Sequence, residues 1–144
     1  MKARLNWDGG MAFNGLTESG HRLVLDAGAE SGGSNSGPRP TEVLLHAAAV
    51  CTGMDIVLVL NKMRLTVEEF FIDIEGMRAT EHPKRFTDIS ITYHLKGDFP
   101  EDKVVRAINL SKDTYCTVVH SLNASISYHY VLNEAPSKTL EPSN

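Results

Sequence analysis

The chain has 144 residues, enough for one domain that hides roughly two-thirds of its unfolded surface and needs no disulfide staple. Apolar residues at 42% and charged residues at 22% lie near globular averages, which argues against a disordered or fibrous chain. A net charge of -4 supplies no basic patch to hold a phosphate backbone by counterion release, so nucleic acid is not an expected partner.

The opening MKARLNWDGG has no long apolar run behind its two positive residues, so no secretory leader is expected and the cytoplasm is the expected location. Ala3 to Trp7, Ala12 to Leu16 and Arg22 to Asp26 read as three short strands. Turns at Asp8-Gly9-Gly10 and Ser19-Gly20 separate them, which gives a meander. Ala27 to Pro40, rich in Gly, Ser, Asn and Pro, reads as a surface loop. Thr41 or a neighbour is placed to cap the next helix, and Glu42 suits the positive end of its dipole.

From Glu42 to about Met63 apolar residues cover nearly every direction of a 3.6-residue repeat, and such a helix must be surrounded. At about 30 Å it matches the diameter of a small domain, and a single chain is short of material to enclose it, which points to a second copy. The stretch Val43 to Leu60 approaches the length of a membrane span. Asp55 near its middle would cost roughly 2.5 to 3.5 kcal/mol there, so a helix buried in protein is expected and no membrane partner.

Thr66 to Arg78 and Phe86 to Leu95 read as two long strands, the second alternating cleanly. Pro100 to Leu110 has helical spacing behind Glu101-Asp102, and a shorter helix is expected to hold Cys116, Val119 and Leu122. Ala124 to Leu132 alternates as a last strand. The order predicts an α+β fold with helices on one face of largely antiparallel sheet, a single domain over 1–132 and a flexible tail over 133–144.

Two cysteines in a reducing compartment are more often catalytic, redox-sensing or metal-binding than a structural bridge. Cys51 lies inside the long helix after Ala47-Ala48-Ala49-Val50. Cys116 lies 65 positions later among more polar neighbours, with one side expected to see solvent. Each taken alone reads as packing ahead of chemistry, since free cysteine behaves as a small hydrophobe. If the two meet, a thiolate can attack a peroxide and the sulfenic acid can condense with the second thiol.

His46 and His120 would supply further soft ligands. Cys116 and His120, four apart, would share a helix face, but no close pair of ligand residues supports zinc, and the histidines are expected in the core or an interface. Asp55 is placed to fill a polar gap beside the thiol or to bind backbone. Met54, Phe70 and Phe71 are candidates for an apolar pocket that favours lipid-like or aryl peroxides.

The block Gly37-Pro38-Arg39-Pro40-Thr41-Glu42 running on through Cys51-Thr52-Gly53-Met54-Asp55, with Ser111-Lys112-Asp113-Thr114-Tyr115-Cys116 and Leu122, resembles the OsmC and organic hydroperoxide resistance family. The likeness covers nearly the whole chain and is strongest to the YhfA-type branch. It implies OsmC-like antiparallel sheets wrapped around long central helices in an intertwined homodimer. It also implies Cys51 as peroxidatic and Cys116 as resolving thiol, organic hydroperoxides as substrates, a dithiol reductant, and no metal or organic cofactor.

One departure stands out. The hydroperoxide-resistance branch has Glu after the Pro at the helix start, where it helps hold an Arg near the reactive sulfur, and this chain has Thr41 there with Glu42 next. Nine residues of straight helix separate Glu42 from Cys51 by about 13.5 Å. Arg22 and Arg39 are the candidate thiolate-activating cations. The alternative is an OsmC-like redox-sensing or small-ligand-binding protein with weak or no peroxidase activity.

Overall fold

Runs of four residues bounded by turns build the first of two compact units, Met1–Leu44, in the computed structural model, which describes residues 1–141. The strands β1 (Arg4–Trp7), β2 (Phe13–Leu16) and β3 (Arg22–Leu25) form an antiparallel meander, with Trp7 opposite Phe13 and Phe13 opposite Leu25. Gly9 and Gly10, at φ 88° and 53°, provide the left-handed residues of the first turn, which the Ala12 amide closes on the Gly9 carbonyl at 3.0 Å. Leu5, Trp7, Phe13 and Leu16 are all exposed.

The loop after β3 is organised by a carboxylate. Asp26, 2% exposed, accepts from the amides of Ala27 (2.8 Å), Ser34 (3.0 Å) and Ser36 (3.0 Å) and from the Ser36 hydroxyl (2.8 Å). The helix α1 (Pro40–Lys62) then begins with Pro at its first position, where a missing amide costs nothing. Arg39 takes the cap position instead of Thr41, and Glu42 Oε2 accepts from the Arg39 amide at 2.8 Å, half of a capping box.

The second unit starts at Leu45. Its sheet has β4 (Glu69–Arg78), β5 (Phe86–Lys96), β6 (Ser125–Leu132) and β7 (Lys138–Thr139) in that order. The β4–β5 and β6–β7 ladders are antiparallel, whereas β5 and β6 run parallel. The parallel pair follows from the intervening chain, because α2 (Glu101–Leu110) and α3 (Thr117–His120) provide the long crossover that such a pair requires. Residues 138–139 of the expected tail are thus paired in the sheet. Lys138 Nζ also donates to Glu101 Oε1 at 2.6 Å, while 142–144 lie outside the described residues.

The core collects Ile56 and Leu60 of α1, Ile89, Ile91, Tyr93 and Leu95 of β5, Val104 and Ile108 of α2, and Tyr128 and Tyr130 of β6. By length and composition alone α1 is long and apolar enough to cross a membrane, a test that the core helix of a soluble protein also passes. It packs one side into this core, and the small α+β fold is consistent with a soluble protein. The helix is not surrounded within the chain: Val50, Met54 and Leu58, a row at i, i+4 and i+8, stay exposed.

Candidate functional site

Positions four apart on a helix lie one above the other, so Cys51 and Asp55 share a row of α1. Cys116 reaches the same place from α2. Its path runs through a π turn over Ser111–Tyr115, closed by the Cys116 amide on the Ser111 carbonyl at 3.0 Å. The result brings Cys51 Sγ, Cys116 Sγ and an Asp55 carboxylate oxygen all within 4.8 Å of one another. Both cysteines are free thiols.

The two thiols are unequal. Cys51 is partly exposed and Cys116 fully buried. Cys116 does not sit inside a helix, as its sequence neighbours suggest, but caps α3, accepting from the Val119 amide at 3.4 Å. Nor does it see solvent. Burial, with a smaller contribution from the adjacent Cys51, pushes its pKa up to about 11.

Polar side chains surround the cluster. Ser111 Oγ, fully buried, donates to Asp55 Oδ2 at 2.9 Å, and Thr52 Oγ1 donates to the Ala49 carbonyl at 2.9 Å. Tyr93 is fully buried, with its hydroxyl beside the Thr52 side chain. Burial raises its pKa, and the Thr52 side chain offsets part of that rise. Tyr128 is also pushed up, to about 12, chiefly by burial and then by Cys116. Lys112 Nζ stands 5.9 Å from the Tyr128 ring centre and pairs with Asp113 at 3.3 Å.

The expected pocket residues divide. Met54 and Phe70 do line an apolar groove of about 480 Å³ along α1 and β4, with Val50, Gly53, Leu58 and Ile72. Neither cysteine lines it, because the Val50–Met54–Leu58 row is turned about 100° from the Cys51–Asp55 row. Phe71 is not in the groove. Strand alternation puts it on the other face of β4, where it is exposed and stacks on His94 at 4.2 Å between ring centres.

His46 and His120 are exposed on α1 and α3 rather than buried in the core, and neither belongs to the thiol–carboxylate cluster. In the first unit, Arg22 opens β3 opposite Leu16, Arg39 donates to Asn35 Oδ1, and Glu42 holds the helix start. Sequence reasoning assigned no role to Ser111, Tyr93 or Tyr128. A signal for Ser111 existed: with Val104, Ala107 and Ile108 it falls on the buried face of one helical repeat, where a lone serine is out of place.

A family model described as OsmC-like protein matches residues 33–130, a span holding α1, β4, β5 and both cysteines. The chain belongs to the OsmC-like family. Within the OsmC-like proteins it falls on the YhfA-like branch: it is 32% identical to Protein YhfA of Escherichia coli K12 over 128 residues, 88% of this chain and 92% of that protein. A hypothetical protein from Aquifex aeolicus VF5 is similar in structure, with a TM-score of 0.75 at 28% identity over 92% of this chain and 97% of that one. An organic hydroperoxide resistance protein OsmC from Legionella pneumophila shares the fold, with a TM-score of 0.65 at 16% identity over 92% and 96% of the two chains. OsmC-like membership and two neighbouring thiols fit a redox protein.

Proposed function

We propose that this protein is a thiol-dependent peroxidase that reduces organic hydroperoxides through Cys51 and Cys116. The observation that carries the reading is the approach of the two Sγ atoms to within 4.8 Å, one thiol reachable from solvent and the other buried. The description of the Legionella relative as an organic hydroperoxide resistance protein supports it.

The Cys51 thiolate attacks the terminal oxygen of the hydroperoxide. The O–O bond breaks, the alkoxide takes a proton and leaves as alcohol, and Cys51 becomes a sulfenic acid. Cys116 sulfur then attacks the Cys51 sulfur; hydroxide leaves, takes up the Cys116 proton as water, and a disulfide remains. A dithiol reductant restores both thiols by exchange and is itself oxidised to a disulfide. In this reading the enzyme works as a cytoplasmic homodimer. The exposed Val50–Met54–Leu58 row supports the dimer, since such a patch is stable when covered.

The test is consumption of cumene hydroperoxide with a dithiol reductant. The expected outcome is turnover by the wild type, none above background by Cys51→Ser, and accumulation of Cys51 sulfinate in Cys116→Ser. Equal rates for the wild type and Cys51→Ser would end the proposal.

One observation favours a second reading, a redox sensor or small-ligand binder. The side chain beside the two thiols is an acid, Asp55, where thiolate chemistry is ordinarily helped by a cation. Mass spectrometry after one equivalent of peroxide separates the two: rapid disulfide formation belongs to the enzyme, and slow sulfinate formation to the alternative.

A further inference from the structure

The Cys51–Asp55–Cys116 cluster combines two soft sulfurs and one hard oxygen, a donor set suited to a borderline-soft ion. We propose that the reduced protein binds a zinc-class divalent metal ion through these three side chains, leaving the fourth tetrahedral position open. The proposal does not depend on peroxidase activity.

Geometry comes first. With Zn–S bonds of about 2.3 Å and Zn–O bonds of about 2.0 to 2.2 Å, ligand atoms around a tetrahedral ion lie about 3.5 to 3.8 Å apart. The three donors already sit within 4.8 Å of one another, so closure on an ion needs movements of about 1 Å, within reach of side-chain rotation.

The surroundings match a metal site in a further respect. Ser111 Oγ is fully buried and donates to Asp55 Oδ2 at 2.9 Å, the kind of outer hydrogen bond that orients a ligating carboxylate.

Charge points the same way. A divalent cation held by two sulfurs and a carboxylate offsets the negative charge that the three donors carry as ligands. As two metal–sulfur bonds and one metal–oxygen bond form, two thiol protons leave to solvent and no oxidation state changes. The disulfide form has no thiolate to offer, so metal binding and oxidation exclude each other.

The full chain, reduced and stripped of metal, is titrated anaerobically with zinc against a chromophoric chelator, and with cobalt(II) as a spectroscopic reporter. The expected result is one metal per chain, with a sulfur-to-cobalt charge-transfer band that is lost when the disulfide is formed. Ser111→Ala weakens binding by about 10- to 100-fold. Asp55→Asn, which retains an acceptor for Ser111, weakens it at least as much, and Cys51→Ser more. No binding by the reduced wild type overturns the proposal, as does binding that survives oxidation or is unchanged in Asp55→Asn. The oxidised wild type needs no mutation, so a variant that misfolds leaves the question decided. Hydroperoxide turnover assayed in chelator-treated buffer reports on the peroxidase alone, so either activity can fail without the other.

Discussion

Asp26 closes β3 with its carboxylate turned to three backbone amides and one hydroxyl. Hydrogen bonds from the Ser36 amide and hydroxyl, then from Ala27 and Ser34, hold its pKa at about 2 against an ordinary 3.8. The unfolded chain therefore takes up this proton before the folded one does. The stabilisation is complete above pH about 4 and is lost as pH falls through about 2. Urea unfolding should record a larger loss of stability between pH 5 and pH 2 in the wild type than in Asp26→Asn. Amide exchange at Ser34 and Ser36 should be faster in the variant at neutral pH. Nothing in the sequence singled out this aspartate, because its four donors become neighbours only once the loop has folded. The thiols illustrate the same limit: their types were readable, but 65 positions of chain gave no measure of their separation, and the protonated state of Cys116 follows from burial that its polar neighbours in sequence concealed.

Elements with a clear pattern or clear limits were legible. The three short strands, α1, β5 and β6 fall within a few residues of their expected limits: turns bound the short strands, α1 is one long apolar run, and β5 and β6 alternate their apolar side chains. Alternation along β4 turns Phe70 and Phe71 to opposite faces, so of the two residues expected in one pocket only Phe70 lines the groove, while Phe71 stacks on His94. The π turn was not legible, because one extra residue in a turn leaves no periodic trace, and it is this turn that ends α2 and moves Cys116 from a helix interior to a cap. Close backbone approach is similarly hidden. A Cβ at Gly15 would fall well inside contact with the Arg4 carbonyl oxygen, so Gly15→Ala should cost about 1 to 3 kcal/mol, measured by chemical unfolding, with loss of protection in the β1–β2 ladder.

At the scale of the whole molecule, the expectation that one chain cannot enclose α1 agrees with what remains uncovered: Met54 is 69% exposed, Val50 54% and Leu58 52%. If a second copy covers this row, Met54→Glu should convert the dimer to monomer in sedimentation or light scattering, while wild-type mass stays at twice the chain mass. The parallel β5–β6 pair was beyond a sequence reading of hairpins, since strand direction depends on where the crossover helices return the chain. The same helix carries two kinds of surface a quarter-turn apart, one greasy row open to the groove and one row of sulfur and carboxylate. Substitutions at positions 50, 54 and 58 therefore act on the surface offered to a second copy while leaving every member of the thiol–carboxylate cluster in place.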